Sequence, residues 1–167
     1  MRNINKLMAV FAVTFFSTNY IIPSFAAEVA GKGPLLDKSK FSIGVGISSN
    51  SVSGPIDDEV GFQVYGAYDL TKVNLMEGVN SSVEFGYMDY GFRRNNSGGI
   101  WTTYVVDGAI SGNLGWVARL GLDLGDDSGF MLGAGAGYAI NEKMNLRLEY
   151  VVRDEVDSLQ LNYLYHM

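Results

Sequence analysis

From residue 41 onward, apolar side chains recur at every second position in runs of about ten residues, and each run stops at a cluster of Gly, Asn or Asp. A period of two sends successive side chains to opposite faces of an extended backbone, so each run predicts one β-strand. The first, 41–49, sets Phe41, Ile43, Val45 and Ile47 against Ser42, Gly44, Gly46 and Ser48. The second, 60–70, sets Phe62, Val64 and Tyr68 against Gln63, Tyr65 and Asp69, and the third, 81–90, sets Val83, Phe85 and Tyr87 against Ser82, Glu84, Gly86 and Met88. The parity of the fourth, 100–110, is fixed by placing Asp107 on the same side as those polar residues, which turns Ile100, Tyr104, Val106 and Ile110 the other way. Strands at 116–124, 130–138, 145–153 and 158–167 complete the set. They oppose Leu120 to Arg119, Leu132 to Gly133, Leu148 to Arg147 and Glu149, and Leu161 to Asn162.

Eight such strands on a meander predict an all-β fold, and the character of the second face decides which kind. A solvated sheet face carries Lys and Glu in quantity, whereas this one holds Gly, Ser and a few charges of both signs: Glu84, Asp107 and Glu149 against Arg119 and Arg147. Small residues beside compact, mutually compensating charges suit the narrow interior of a closed barrel, where an ionic network needs every partner hydrogen-bonded. The oily face is then left to meet lipid. The expected architecture is an eight-stranded, antiparallel, up-and-down transmembrane β-barrel. The soluble alternative, a lipocalin-like carrier, requires the oily face to line an internal pocket and the charged face to meet water.

Residues 1–26 change the picture by giving an address. Arg2 and Lys6 precede an apolar stretch at 7–16, and Ser24-Phe25-Ala26 supplies small residues where a signal peptidase needs them, so 1–26 is expected to be a signal peptide and 27–167 the barrel domain. The apolar core is about half the roughly 20 residues that a helical span requires. Composition agrees: 21 Gly, 10 Tyr and 9 Phe suit packed strands, and with no Cys the exported chain must be held by its core or by strand closure, closure being the cheaper explanation, and not by disulfides. A formal charge of −6 excludes nucleic acid as a natural partner.

The stretch 133–150, GAGAGYAINEKMNLRLEY, resembles the corresponding region of OmpA-type outer-membrane barrels, the small OmpA-like and OmpX-like group. Val83-Glu84-Phe85-Gly86-Tyr87 is similar to that family's third strand and Ala118-Arg119-Leu120-Gly121 to its fifth. The resemblance implies the eight-stranded transmembrane barrel, with Glu84, Arg147 and Glu149 as members of an internal ionic network. Two family partners are replaced: a fourth-strand Lys by Ala109 or its neighbours, and a Glu before Tyr-Ala-Ile by Gly137. The resemblance also implies an aromatic finish for recognition by the insertion machinery, where this chain reads Tyr165-His166-Met167, and the peptidoglycan-binding domain of the full OmpA architecture is not expected.

Catalytic, metal and cofactor chemistry have little to stand on. His166 is the single histidine, and a hydrolytic triad needs a serine and an acid around it. Asp57-Asp58-Glu59 and Asp126-Asp127 fall in turns, where solvated acids are ordinary. Arg93 and Arg94, in a predicted outer loop, are candidates for contact with lipid phosphate, because guanidinium groups grip phosphate bidentately. The expectation is therefore a non-enzymatic outer-membrane protein of a Gram-negative bacterium with a structural or surface-interaction role. No cofactor is expected. Its partners would be the outer-membrane lipids, lipopolysaccharide included, and the barrel insertion machinery, and it would act as a monomer. A narrow pore is the first alternative and a lipid hydrolase the last.

Overall fold

The eight predicted strands all form, and each pairs with the next in sequence. The computed structural model describes residues 36–52, 57–70, 76–92 and 98–167; the predicted signal peptide at 1–26 and the pair Arg93 and Arg94 lie outside them. After a short 3-10 turn at Lys38–Lys40, β1 runs Phe41–Val52, β2 Glu59–Asp69, β3 Val79–Asp89, β4 Gly98–Ser111, β5 Leu114–Asp123, β6 Gly129–Asn141, β7 Met144–Val152 and β8 Val156–His166. Every neighbouring pair is antiparallel, and β8 returns to β1, Ser42 opposite His166 and Val52 opposite Val156, so the sheet closes into a barrel. Closure leaves no strand edge with unpaired backbone groups, which is the condition for placing strands in hydrocarbon. Strand lengths of 9 to 14 residues meet the roughly 9–11 that a membrane crossing needs.

Both termini of the barrel lie at one end, called here the near end; the far end carries the connections that follow β1, β3, β5 and β7. Two near-end turns are tighter than the runs of hydrophobicity suggest. The expected connections at 111–115 and 139–143 shrink to the residue pairs 112–113 and 142–143, because the ladder continues to Ser111 opposite Leu114 and Asn141 opposite Met144 after an irregularity in each pair. Gly112 takes φ +55°, the left-handed conformation that a two-residue hairpin demands and that glycine adopts without steric cost.

The two faces fall as the alternation predicts. Ile47, Leu132 and Leu148 are 59%, 57% and 53% exposed on the outside, while Glu84 and Glu149 are 0% exposed within. Across the middle of all eight strands, the outward positions hold no Asp, Glu, Lys or Arg; the first outward acids, Asp89 and Asp157, stand at the far-end tips of β3 and β8. Near-end outward positions include Tyr68, Trp116, Tyr138, Tyr163 and Tyr165, with Phe41 and Tyr68 in an edge-on contact at 4.9 Å. A lipocalin-like carrier needs the opposite arrangement, and the outward apolar face overturns that alternative.

Candidate functional site: a filled, ion-paired lumen

The inward glycines shape the lumen by leaving space that large side chains then occupy. Tyr65 lies across Gly44 and Gly86, so that a Cβ at Gly44 would fall within its ring. On β6, Gly133 faces Arg119 of β5 and Gly135 faces Glu149 of β7 in the ladder. A Cβ on Gly133 would sit 2.8 Å from Arg119 Cγ, and one on Gly135 would sit 2.7 Å from Glu149 Cα. With neither Cβ present, the guanidinium of Arg119 crosses over β6 and reaches a carboxylate two strands away.

That crossing builds a buried four-residue network. Arg119 donates from Nε to Glu149 Oε2 and from Nη2 to Glu149 Oε1, both at 2.8 Å, a forked geometry that a lysine cannot supply. Its Nη2 also lies 3.3 Å from Glu84 Oε2, and Arg147 Nη1 donates to Glu84 Oε1 at 2.6 Å. Two cations meet two anions, and all four side chains are nearly or wholly removed from solvent. Amides extend the network sideways: Asn162 Nδ2 donates to Glu149 Oε1 at 3.0 Å, while Gln63 Nε2 donates to Asn162 Oδ1 at 2.6 Å and to Gln160 Oε1 at 2.9 Å. Isolated charges could not survive such burial; pairing and hydrogen bonding make it tolerable.

Asp107 stands apart from this group. It lies opposite Asn80 in the ladder, one inward step toward the near end from Val105, the partner of Arg119. Its carboxylate accepts from Asn80 Nδ2 at 3.1 Å, and among the described residues no cation lies within ion-pair distance.

A second polar layer, which the sequence reading did not assemble, closes the far end. Tyr90 donates its hydroxyl to Asp123 Oδ2, and Arg153 Nε donates to the same oxygen at 3.1 Å. Arg153 also donates to Ser158 Oγ at 2.8 Å and to Met88 Sδ at 3.2 Å, with its guanidinium 5.4 Å above the Tyr90 ring. Between the layers sits Trp101, 5.7 Å from the Arg119 guanidinium and 5.4 Å from the Tyr65 ring. Met88, Tyr90, Trp101, Met131 and Val151 pack as one cluster with no exposed surface. The signal for this layer was present in parity: Asp123 and Arg153 are opposite charges at inward positions, both at the far-end limit of their strands.

Outside the lumen, Asp127 joins two far-end connections. Its carboxylate accepts from the backbone N–H of Glu155 and of Val156, each at 2.8 Å, pinning the β7–β8 turn to the β5–β6 loop. Burial holds this carboxyl above the usual carboxylate range, against the opposing pull of the two amides that bond to it. At the near end, Ser42 Oγ and His166 Nδ1 are 2.7 Å apart, with Ser42 buried on the lumen side.

No family model matches the chain, and no curated protein matches it. Among solved structures it is similar to a de novo designed transmembrane β-barrel, with 17% identity, 77% of this chain and 96% of that chain covered, and a TM-score of 0.54. It is similar also to Ail, the attachment invasion locus protein of Yersinia pestis, with 16% identity, coverage of 75% and 95%, and a TM-score of 0.50. Neisserial surface protein A follows with 15% identity, coverage of 77% and 98%, and a TM-score of 0.49. At these identities the first two bear on fold alone, and the fold they share is the closed, antiparallel transmembrane β-barrel.

Proposed function

We propose that the chain is an integral outer-membrane protein of a Gram-negative bacterium, non-enzymatic and monomeric, of the small OmpA-like and OmpX-like kind, with a structural or surface-interaction role. One observation carries the reading: the outward surface is apolar and free of charge across the middle of all eight strands, while Glu84, Arg119, Arg147 and Glu149 are paired inside. In water that surface would be an exposed apolar belt far larger than soluble monomers tolerate; in lipid it is the ordinary exterior of a barrel. With an even strand count the near end faces the periplasm and the far end the cell exterior. Outer-membrane lipids, including lipopolysaccharide, then surround the barrel, and Arg93 and Arg94 remain the proposed contact with lipid phosphate. The insertion machinery would meet the β8 terminus.

A hydrolase of membrane lipids would need its nucleophile at the lipid face, and the Ser42 hydroxyl beside His166 points into the lumen instead. The test is recovery of the protein in a washed outer-membrane fraction together with electrophoresis in SDS, heated and unheated. A membrane barrel is expected in that fraction with a heat-dependent mobility shift; recovery as a soluble periplasmic protein without the shift would end the proposal.

A further inference from the structure

The far-end layer has a property that the middle network lacks: it hangs on a loop. Arg153 is the cation of that layer and follows the last residue of β7; two residues later begin the backbone amides held by Asp127. We propose that Asp127 is a latch that keeps water out of the lumen, and that its release admits water and small cations from the far end. The inference rests on the membrane-barrel reading above.

Asp127 fixes the β7–β8 turn, the turn fixes Arg153, and Arg153, stacked over the Tyr90 ring, neutralises Asp123. Freed of its two amide bonds, the turn can carry Arg153 outward, uncovering the Asp123 carboxylate and the packed cluster around Trp101. The ion pairs below depend on that dryness, since Coulomb attraction falls steeply as the local dielectric rises toward that of water. Arg119 Nη1 has no hydrogen-bond partner and Glu84 Oε2 has only the 3.3 Å ion-pair contact with Arg119 Nη2, so water arriving there gains bonds at once. Cations are favoured over anions because Asp57, Asp58, Asp89 and Asp126 stand at the far end, and Asp123 loses its counter-charge on release.

The chain has two tryptophans, and the outward one can be removed, so Trp116→Phe leaves Trp101 as the reporter of the lumen. Protein in phospholipid vesicles, shown to be folded by its heat-dependent mobility, is titrated with aqueous caesium and, separately, iodide as collisional quenchers. Without further change, Trp101 is expected to resist both. Asp127→Ala is expected to raise quenching by caesium by at least about tenfold, since it removes both charge-assisted hydrogen bonds to the turn and one alone is worth roughly that ratio, with little change for iodide. Arg153→Gln is expected to do the same, and if it fails to fold, Asp127→Ala carries the test alone because it alters only a loop. Arg147→Met, in the middle network, is expected to leave Trp101 shielded. Folded Asp127→Ala with Trp101 still shielded would overturn the latch, and equal entry of iodide would overturn its cation preference. Absence of the mobility shift in the unmutated protein would instead refute the membrane reading.

Discussion

Removing the Arg119 side chain is the severest single test of the lumen. Arg119→Met keeps most of the volume but deletes the fork on Glu149, two bonds of 2.8 Å, and the 3.3 Å contact with Glu84. The middle network passes from two cations facing two anions to one facing two, and Glu149 keeps only Asn162 as a side-chain hydrogen-bond partner. Breaking a buried pair by deleting one member costs about 3–5 kcal/mol, because the remaining charge stays desolvated without compensation. Against the roughly 5–15 kcal/mol of a typical domain, that is a large share of the whole. The companion change Glu149→Gln in the Arg119→Met background removes the stranded charge and leaves Arg147 with Glu84, a neutral pair at 2.6 Å. The double variant is therefore expected to be more stable than Arg119→Met alone by about 1–3 kcal/mol. Urea titration of protein folded in vesicles, followed by tryptophan fluorescence and the heat-dependent mobility shift, measures both steps. Strictly additive costs for the two changes, or a cost below about 1 kcal/mol for Arg119→Met, would show that the network does not act as a coupled unit.

Four further changes probe other parts of the molecule by the same titration. Leu120→Arg places a cation on an outward position in the middle of β5 that is 53% exposed; such a change is close to neutral on a water-facing surface but is expected to cost about 2–4 kcal/mol if that position faces the bilayer midplane. Leu124→Arg, just past the far end of β5, is expected to cost at most about 1 kcal/mol, and equal costs at the two sites would count against a lipid-facing belt. Gly44→Ala forces a methyl group into the Tyr65 ring and is expected to destabilise by about 1–3 kcal/mol, a loss that Tyr65→Leu in the same chain should partly restore. Asp107→Asn, by contrast, touches an exposed hydrogen bond to Asn80 alone and is expected to change stability by less than about 1 kcal/mol; a loss as large as that of Arg119→Met would place Asp107 inside the network after all.

The contrast between Arg119 and Asp107 shows where sequence reading loses its grip. Side-chain parity was legible because a strand has one periodicity and a slip of one residue would turn an entire oily face inward. Glu84, Arg119, Arg147 and Glu149 could therefore be assigned to the lumen from spacing alone. Which of them touch depends on height along the barrel axis, and that height is set by how each ladder slides against the next. Nothing in the β4 run marks Asp107 as lying beyond reach of an arginine; only its register, opposite Asn80, places it toward the near end. The same limit hid the pairing of Asp123 with Arg153, which join the end of β5 to the residue after β7 across an intervening strand. The glycines of β6 were the one readable trace of these crossings. In a sheet, Gly133, Gly135 and Gly137 in alternation weaken the strand and pack nothing, so their presence in a well-formed strand requires a neighbour that fills the space. Arg119 fills it above Gly133 and Glu149 beside Gly135, which makes the bare strand between them a structural part of the ion pair.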